Sequence, residues 1–282
     1  MLIAIDGGAT HCRLAVFTAN GERAVECRLA SPASLSAGVP DAVASVRKGI
    51  RLLESELGES LDKVSLCCGL AGSLRESLRQ AFVDELKSER RILIITDGHA
   101  QLLGVTSGRS GTCLAVGTGS VIHWQDADGV PGMAGGWGYP IGDEASAAWL
   151  GLRLLRGYVR ALDRREPLSP LWVDVQQHVG SSIEAIQSWT TCSNSSQVGS
   201  LAKLISRHAK RNDDFCLSVI NEGVDECEQL MDCAPAQLPR WIQGGLCSVY
   251  QPLLESRGHV FERSEGDALD GLYLHADARG GI

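Results

Sequence analysis

Three apolar runs in this chain lead into loops built on glycine pairs or on glycine and hydroxyl residues, and that pairing constrains the fold more than any other feature. Residues 2–5 run into Asp6-Gly7-Gly8-Ala9-Thr10, residues 112–116 into Gly117-Thr118-Gly119-Ser120, and Trp241-Ile242-Gln243 into Gly244-Gly245. A short apolar run closed by glycine reads as a buried strand. Backbone without Cβ can turn its N–H groups toward an anion, and an adjacent hydroxyl adds a donor. Taken singly, each loop is equally well explained as a tight turn. Three in this order are harder to assign to turns alone.

Between the loops the pattern alternates. Residues 13–18 form a second strand, and Asn20-Gly21 marks a hairpin leading to a third at 25–29. After a Ser/Pro/Gly-rich loop, Asp41 stands as an N-cap before Val43, Val46, Ile50, Leu53 and Leu57 at helical spacing. Residues 64–68 and 92–95 are apolar strands, and between them Ser73 caps a helix carrying Leu74, Leu78, Phe82 and Leu86. The first hundred residues thus read βββαβαβ.

A second set opens with the strand at 112–116 and continues through 121–124, a turn at Asp126-Ala127-Asp128-Gly129 and a glycine-rich stretch to Asp143. A long helix follows with Ala148, Leu152, Leu155, Val159 and Leu162 on one face. The remainder is mostly helical, with 198–208 and 215–231 the clearest segments, and 246–254 can form another helix with Pro252 near its end. Repeated strand–glycine–helix units predict an α/β protein that binds ligands at the carboxyl ends of its strands. The 282 residues are expected to divide at 1–105 and 106–282, with the last helix able to pack back on the first domain.

Charge and composition exclude several classes. The formal net charge of −8 and the absence of any Lys/Arg run longer than two argue against nucleic acid. No apolar run approaches the ~20 residues of a membrane span. The N-terminal run is cut by Asp6, so it does not read as a signal peptide. Ten cysteines without a Cys-x-x-Cys read as reduced thiols in a cytoplasmic protein. The P-loop, the complete Gly-x-Gly-x-x-Gly, His-Glu-x-x-His and Gly-x-Ser-x-Gly are all missing.

The order of the three loops resembles the actin, Hsp70 and sugar-kinase superfamily. The string Gly135-Gly136-Trp137-Gly138-Tyr139-Pro140-Ile141-Gly142-Asp143-Glu144-Ala145-Ser146 is similar to the N-acetylglucosamine kinase and glucosamine kinase branch of the BadF/BadG/BcrA/BcrD-type ATPases. The resemblance implies two ribonuclease-H-like domains with the active site in the cleft between them. It implies that Asp6, Gly7, Gly8 and Thr10 form a first phosphate loop, with Asp6 holding Mg²⁺ through water. Gly117, Thr118 and Gly119 match the second phosphate loop, and Gly244 and Gly245 the adenosine segment. Asp97 matches the acid facing the sugar hydroxyl, and Gly136, Trp137, Gly138 and Asp143 the segment lining the sugar. Thr96 departs from the Asn usual before that acid, and His11-Cys12 is an unusual continuation of the first loop.

The implied activity is an ATP-dependent kinase acting on the 6-hydroxyl of N-acetylglucosamine or glucosamine, in a homodimer. Plainer readings stand beside these roles. Asp143 and Glu144 suit a helix start, Trp137 a core position, Asp97 the opening of a turn, and His11 and His99 ordinary polar neighbours. Two rival functions remain: an ATPase that activates a partner dehydratase, and a sugar-sensing module, for which no DNA-binding segment is expected in this chain.

Overall fold

The computed structural model describes residues 1–280. It opens with β1 (Leu2–Gly7), β2 (Cys12–Phe17), β3 (Arg23–Leu29), α1 (Val39–Leu57), β4 (Ser65–Leu70), α2 (Glu76–Leu86), β5 (Ile92–Ile95) and α3 (Asp97–Val105). Next come β6 (Gly111–Val116), β7 (Ser120–Gln125), β8 (Pro131–Gly135) and α4 (Ala147–Leu162). The helices α5 (Pro170–Val179), α6 (Ile183–Cys192), α7 (Ser195–Ser200), α8 (Ala202–Ala209) and α9 (Asp214–Asp232) follow. The last elements are β9 (Arg240–Gln243), α10 (Cys247–Ser256) and α11 (Ala268–Asp277).

One sheet has the order β3-β2-β1-β4-β5 and the other β8-β7-β6-β9. In the first, β1 pairs antiparallel with β2 and parallel with β4, and β4 pairs parallel with β5. Two compact units result. The first contains Met1–Cys113, His123–Pro131 and the segment from Glu262 onward; the second contains Leu114–Ile122 and Gly132–Phe261. Among the described residues no helix is long and apolar enough to cross a membrane.

The first sheet is covered on both faces, which explains why its central strands read as continuous apolar runs. Alternation sends Ile3, Ile5, Leu14 and Val16 into a core with Val43, Val46, Ile50, Leu53 and Phe82 of α1 and α2. Leu2, Ala4, Ala15, Phe17 and Cys67 face the other way, against Ala100 of α3 and Leu269, Leu272 and Ala276 of α11. Burying side chains such as Leu14 and Leu53 completely stabilises by about 1.5–3 kcal/mol each.

Several helix starts differ from expectation. The N-cap of α1 is Gly38, with Pro40 in the first turn, so Asp41 is a first-turn acid that complements the helix dipole. Ser73 caps nothing: its hydroxyl donates to the Ile95 carbonyl at 3.0 Å, and α2 starts three residues later. The buried stripe of α4 runs through Leu150, Leu154, Leu155 and Tyr158, leaving Val159 and Leu162 exposed. The segment 198–208 is broken at Leu201 into α7 and α8, α5 and α6 fall within the stretch expected to be mostly helical, and α3 lies where no helix was expected.

Candidate active site

In the first unit, Asp6 lies near the carboxyl end of β1, in register with Gly69 of β4, and Gly69 is in register with Ile95 of β5. Asp97 follows Ile95 by two residues as the first residue of α3. Both acids therefore stand at one edge of the sheet, where parallel strands end and helices begin. A Cβ on Gly69 would come within 2.9 Å of Ala100 Cβ, so glycine is what lets the start of α3 lie against β4. Thr96, the residue that departs from the family pattern, is the N-cap of α3 and accepts the His99 N–H at 3.1 Å.

Burial pushes the Asp97 carboxyl up to about 6; the Gly98 N–H at 3.0 Å opposes the rise and the nearby charge of Asp6 adds to it. Asp6 is raised as well, by burial, against the opposing pull of Arg13. The Arg13 guanidinium donates to Asp6 Oδ2 through Nη2 at 2.8 Å and Nε at 3.1 Å, leaving Oδ1 without a hydrogen bond. Arg13 belongs to no motif. Its one signal in the sequence is positional, because a hairpin turning through residues 8–11 sets residue 13 opposite residue 6.

The loop after Asp6 is tightly shaped. A Cβ on Gly7 would sit 2.6 Å from Leu70 Cδ2 and 2.7 Å from the Ala33 oxygen. The Gly8 N–H is committed to the His11 carbonyl at 3.0 Å, so the loop is a true turn. Ala9 and Thr10 are exposed, and the Thr10 hydroxyl meets His11 Nδ1 at 2.9 Å. A cavity of about 350 Å³ opens here, lined by Asp6, Gly8, Thr10, His11, Arg13 and Arg28. His99 lies apart from this chemistry: its ring packs 6.4 Å from His123 and 6.0 Å from His275, and burial lowers its pKa.

The second unit gathers the other glycines. The loop Gly117–Ser120 joins β6 to β7, and its Gly117 and Thr118 carbonyls accept the Ala147 and Ala148 N–H groups at the start of α4. Gly244 has φ 107°, and a Cβ there would overlap the Val116 carbonyl. Gly245 is open on that side, and its nitrogen is 4.0 Å from where a Cβ of Gly117 would be. The expected second phosphate loop and the expected adenosine segment are thus neighbours.

Asp143 does not cap α4; Ser146 does, accepting the Trp149 N–H at 3.1 Å. The Asp143 backbone is left-handed at φ 62°, which turns its carboxylate back toward the loop. There it accepts the Ser120 N–H at 3.4 Å and backbone N–H groups of Gly138 and Tyr139. Burial raises its pKa, and these donors hold the rise in check. A Cβ on Gly119 would stand 2.8 Å from Asp143 Oδ2, so that glycine makes room for the acid. Glu144 precedes the helix and offers its carbonyl to the Ser120 hydroxyl at 2.6 Å. Gly136 and Gly138 have φ 70° and 86°, and Trp137 between them is 81% exposed, which removes the core position as its role.

Residues 3–238 match the model of the BadF/BadG/BcrA/BcrD ATPase family. The chain is 28% identical over 232 residues to the glucosamine kinase GspK of Vibrio cholerae, covering 81% of this chain and 78% of that one. It is 30% identical over 186 residues to the N-acetyl-D-glucosamine kinase of Dictyostelium discoideum, covering 61% and 58% respectively. A solved structure of a candidate N-acetylglucosamine kinase from Chromobacterium violaceum superposes with TM-score 0.87 at 28% identity, over 97% of this chain and 98% of that one. The fold is the two-domain α/β fold of the actin-like ATPases and sugar kinases.

Proposed function

Since the chain belongs to the BadF/BadG/BcrA/BcrD ATPase family, we propose that it is an ATP-dependent amino-sugar kinase. It would move the γ-phosphoryl group of ATP to the 6-hydroxyl of N-acetylglucosamine or glucosamine. The observation that carries this reading is the placement of Asp97, a part-buried carboxyl pushed up to about 6, at the same sheet edge as Asp6. The relatives named as glucosamine and N-acetylglucosamine kinases supply the substrate class.

Phosphoryl transfer needs positioning and charge stabilisation more than covalent help from the protein. Asp97 would accept the hydroxyl proton of the sugar, and its raised pKa suits a base working near neutral pH. The Thr10 hydroxyl, with the exposed backbone at Ala9 and Thr10, would meet phosphate oxygens, as would Gly117–Gly119 in the second unit. Gly244 and Gly245 would take the adenosine. The half-buried Asp143 carboxylate would bind sugar hydroxyls, and the exposed Trp137 ring would offer an apolar face.

Mg-ATP, when bound, would supply the transferable group and screen its charge. The residues fit Mg²⁺ held by one carboxylate and water: both Arg13 bonds to Asp6 fall on Oδ2, so Oδ1 accepts no hydrogen bond among the described residues. The dehydratase-activating alternative asks for cysteines offered outward. Six of the ten are buried, with the Cys67 thiol pushed up to about 12.

The test is Asp97→Asn, assayed by coupled ADP release across a panel of hexoses and amino sugars. The wild type is expected to turn over amino sugars, and the variant to lose about 10²–10⁴-fold in kcat while still binding sugar. Near-wild-type turnover in the variant would remove Asp97 from the mechanism. No turnover of any amino sugar by the wild type would remove the function.

A further inference from the structure

Arg13 reaches in two directions. Its Nη2 and Nε hold Asp6 Oδ2, and its Nη1 donates to Asp267 Oδ2 at 2.8 Å. Asp267 is the N-cap of α11 and closes a capping box: its carboxylate accepts the Asp270 N–H at 3.4 Å, and the Leu269 N–H at 2.9 Å as well, while Asp270 Oδ2 accepts the Asp267 N–H at 2.9 Å. Arg23 pairs with both Asp267 and Asp270, fixing the same helix end from β3.

That helix end is joined to α3 without intervening side chains. A Cβ on Gly104 would overlap the Asp267 carbonyl, and one on Gly271 would overlap the Ala100 carbonyl. Backbone therefore lies on backbone between α11 and α3, leaving little room for sliding. Asp97 is the first residue of α3. A continuous set of short contacts thus runs from Asp6 through Arg13 and Asp267 into α11, and through glycine packing to the helix that carries Asp97.

We infer that Arg13 is a positioning residue that locks Asp6 to the α11–α3 helix pair, so that the loop acid and the proposed base keep one fixed separation. The inference rests on the kinase reading of Asp6 and Asp97. A planar guanidinium serves this purpose because it can satisfy two carboxylates at fixed angles, whereas an ammonium on a flexible stem cannot. Both Arg13 contacts to Asp6 fall on one oxygen, so the lock leaves Oδ1 open. Asp267, about a third exposed, reaches Asp6 through Arg13 and also caps α11.

The test uses Arg13→Met, Arg13→Lys and Asp267→Asn in the full chain. Asn caps helices as well as Asp does, so Asp267→Asn removes the charge pairing while keeping the cap, and guards against loss of folding in Arg13→Met. Arg13→Met is expected to lower kcat by about 10- to 100-fold with sugar KM within about three-fold, as for removal of a group orienting a working carboxylate. Arg13→Lys should recover only part of this, and the Arg13→Met/Asp267→Asn double variant should be no slower than Arg13→Met alone. A second readout is the rise in Tm on adding Mg-ADP, which should shrink in Arg13→Met.

Full activity in Arg13→Lys, or multiplying losses in the double variant, would overturn the two-armed lock. So would an undiminished Mg-ADP shift in Arg13→Met. If the wild type phosphorylates no amino sugar, the functional reading fails, and the Mg-ADP shift still judges Arg13 separately.

Discussion

Asp97 shows how much of the candidate site sits in a single residue's surroundings. Its place is legible because an apolar strand ends two residues before it, but the desolvation that raises its pKa is not, since that depends on how closely α3 packs against β4. A carboxyl raised from 3.8 to about 6 is charged in both folded and unfolded states above pH 6, and the folded state bears the desolvation, about 3 kcal/mol. Below pH 3.8 both states are protonated and the difference vanishes. Asp97→Asn is therefore expected to be more stable than the wild type by up to that amount at pH 7–8, with the gain fading as pH falls from 6 to 4. Urea unfolding at pH 8 and pH 4 measures it; an equal effect at both values would show that Asp97 is not desolvated. The wild-type kcat/KM should fall on the acid side with an apparent pKa near 6, because the base must be ionised to act. Asp143 teaches the converse. Beside a helix start it suits a cap, yet its left-handed backbone hands that role to Ser146 and turns its carboxylate to the Gly117–Ser120 loop. No propensity of a single residue encodes that rotation.

Strands were easier to read than helices, for a physical reason. A strand buried on both faces must be apolar throughout, so β1, β4 and β6 stand out from their surroundings. The helix α3 is short, opens Asp-Gly-His and contains two glycines, so local preference opposes it. It forms because Thr96 caps it and because Gly104, with Gly271 of α11, lets α11 lie against it. Gly104→Ala separates these influences. Intrinsic preference alone would stabilise the helix by about 1 kcal/mol. A Cβ there overlaps the Asp267 carbonyl, so the net effect is expected to be destabilising by about 1–3 kcal/mol, with α11 displaced. Denaturant midpoints check the sign. A stabilised Gly104→Ala would show that α3 and α11 do not meet backbone to backbone. The same substitution should lower kcat, since it disturbs the helix pair to which Arg13 ties Asp6.

At the scale of the molecule, the glycines mark where backbone lies bare. Twelve of the 32 fall within residues 104–151, which hold the Gly117–Ser120 loop and the Trp137–Asp143 segment. What composition cannot encode is that the first unit is assembled from three separated stretches of chain. Local patterns predict elements, whereas α11 is recruited to the first sheet by a face that only exists once β1, β2 and β4 have paired. That face makes a strong demand. Leu2 and Phe17 on the sheet, with Leu269 and Leu272 on the helix, are all buried to within 1% of completely. Exposing such side chains gives up about 1.5–3 kcal/mol apiece, against a total stability of about 5–15 kcal/mol for an ordinary protein. A chain ended at residue 261 should therefore lose the cooperative unfolding of its first unit, although β1–β5, α1 and α2 remain. The expected result is strong binding of an apolar dye and rapid proteolysis within residues 1–113, with Asp6 and Asp97 no longer held. Adding the peptide 262–280 in trans should restore protection only if the Arg13–Asp267 contact can reform, so the Asp267→Asn peptide should bind more weakly than the native one. A truncated protein that unfolds cooperatively with the wild-type midpoint would show that the sheet needs no cover on that face.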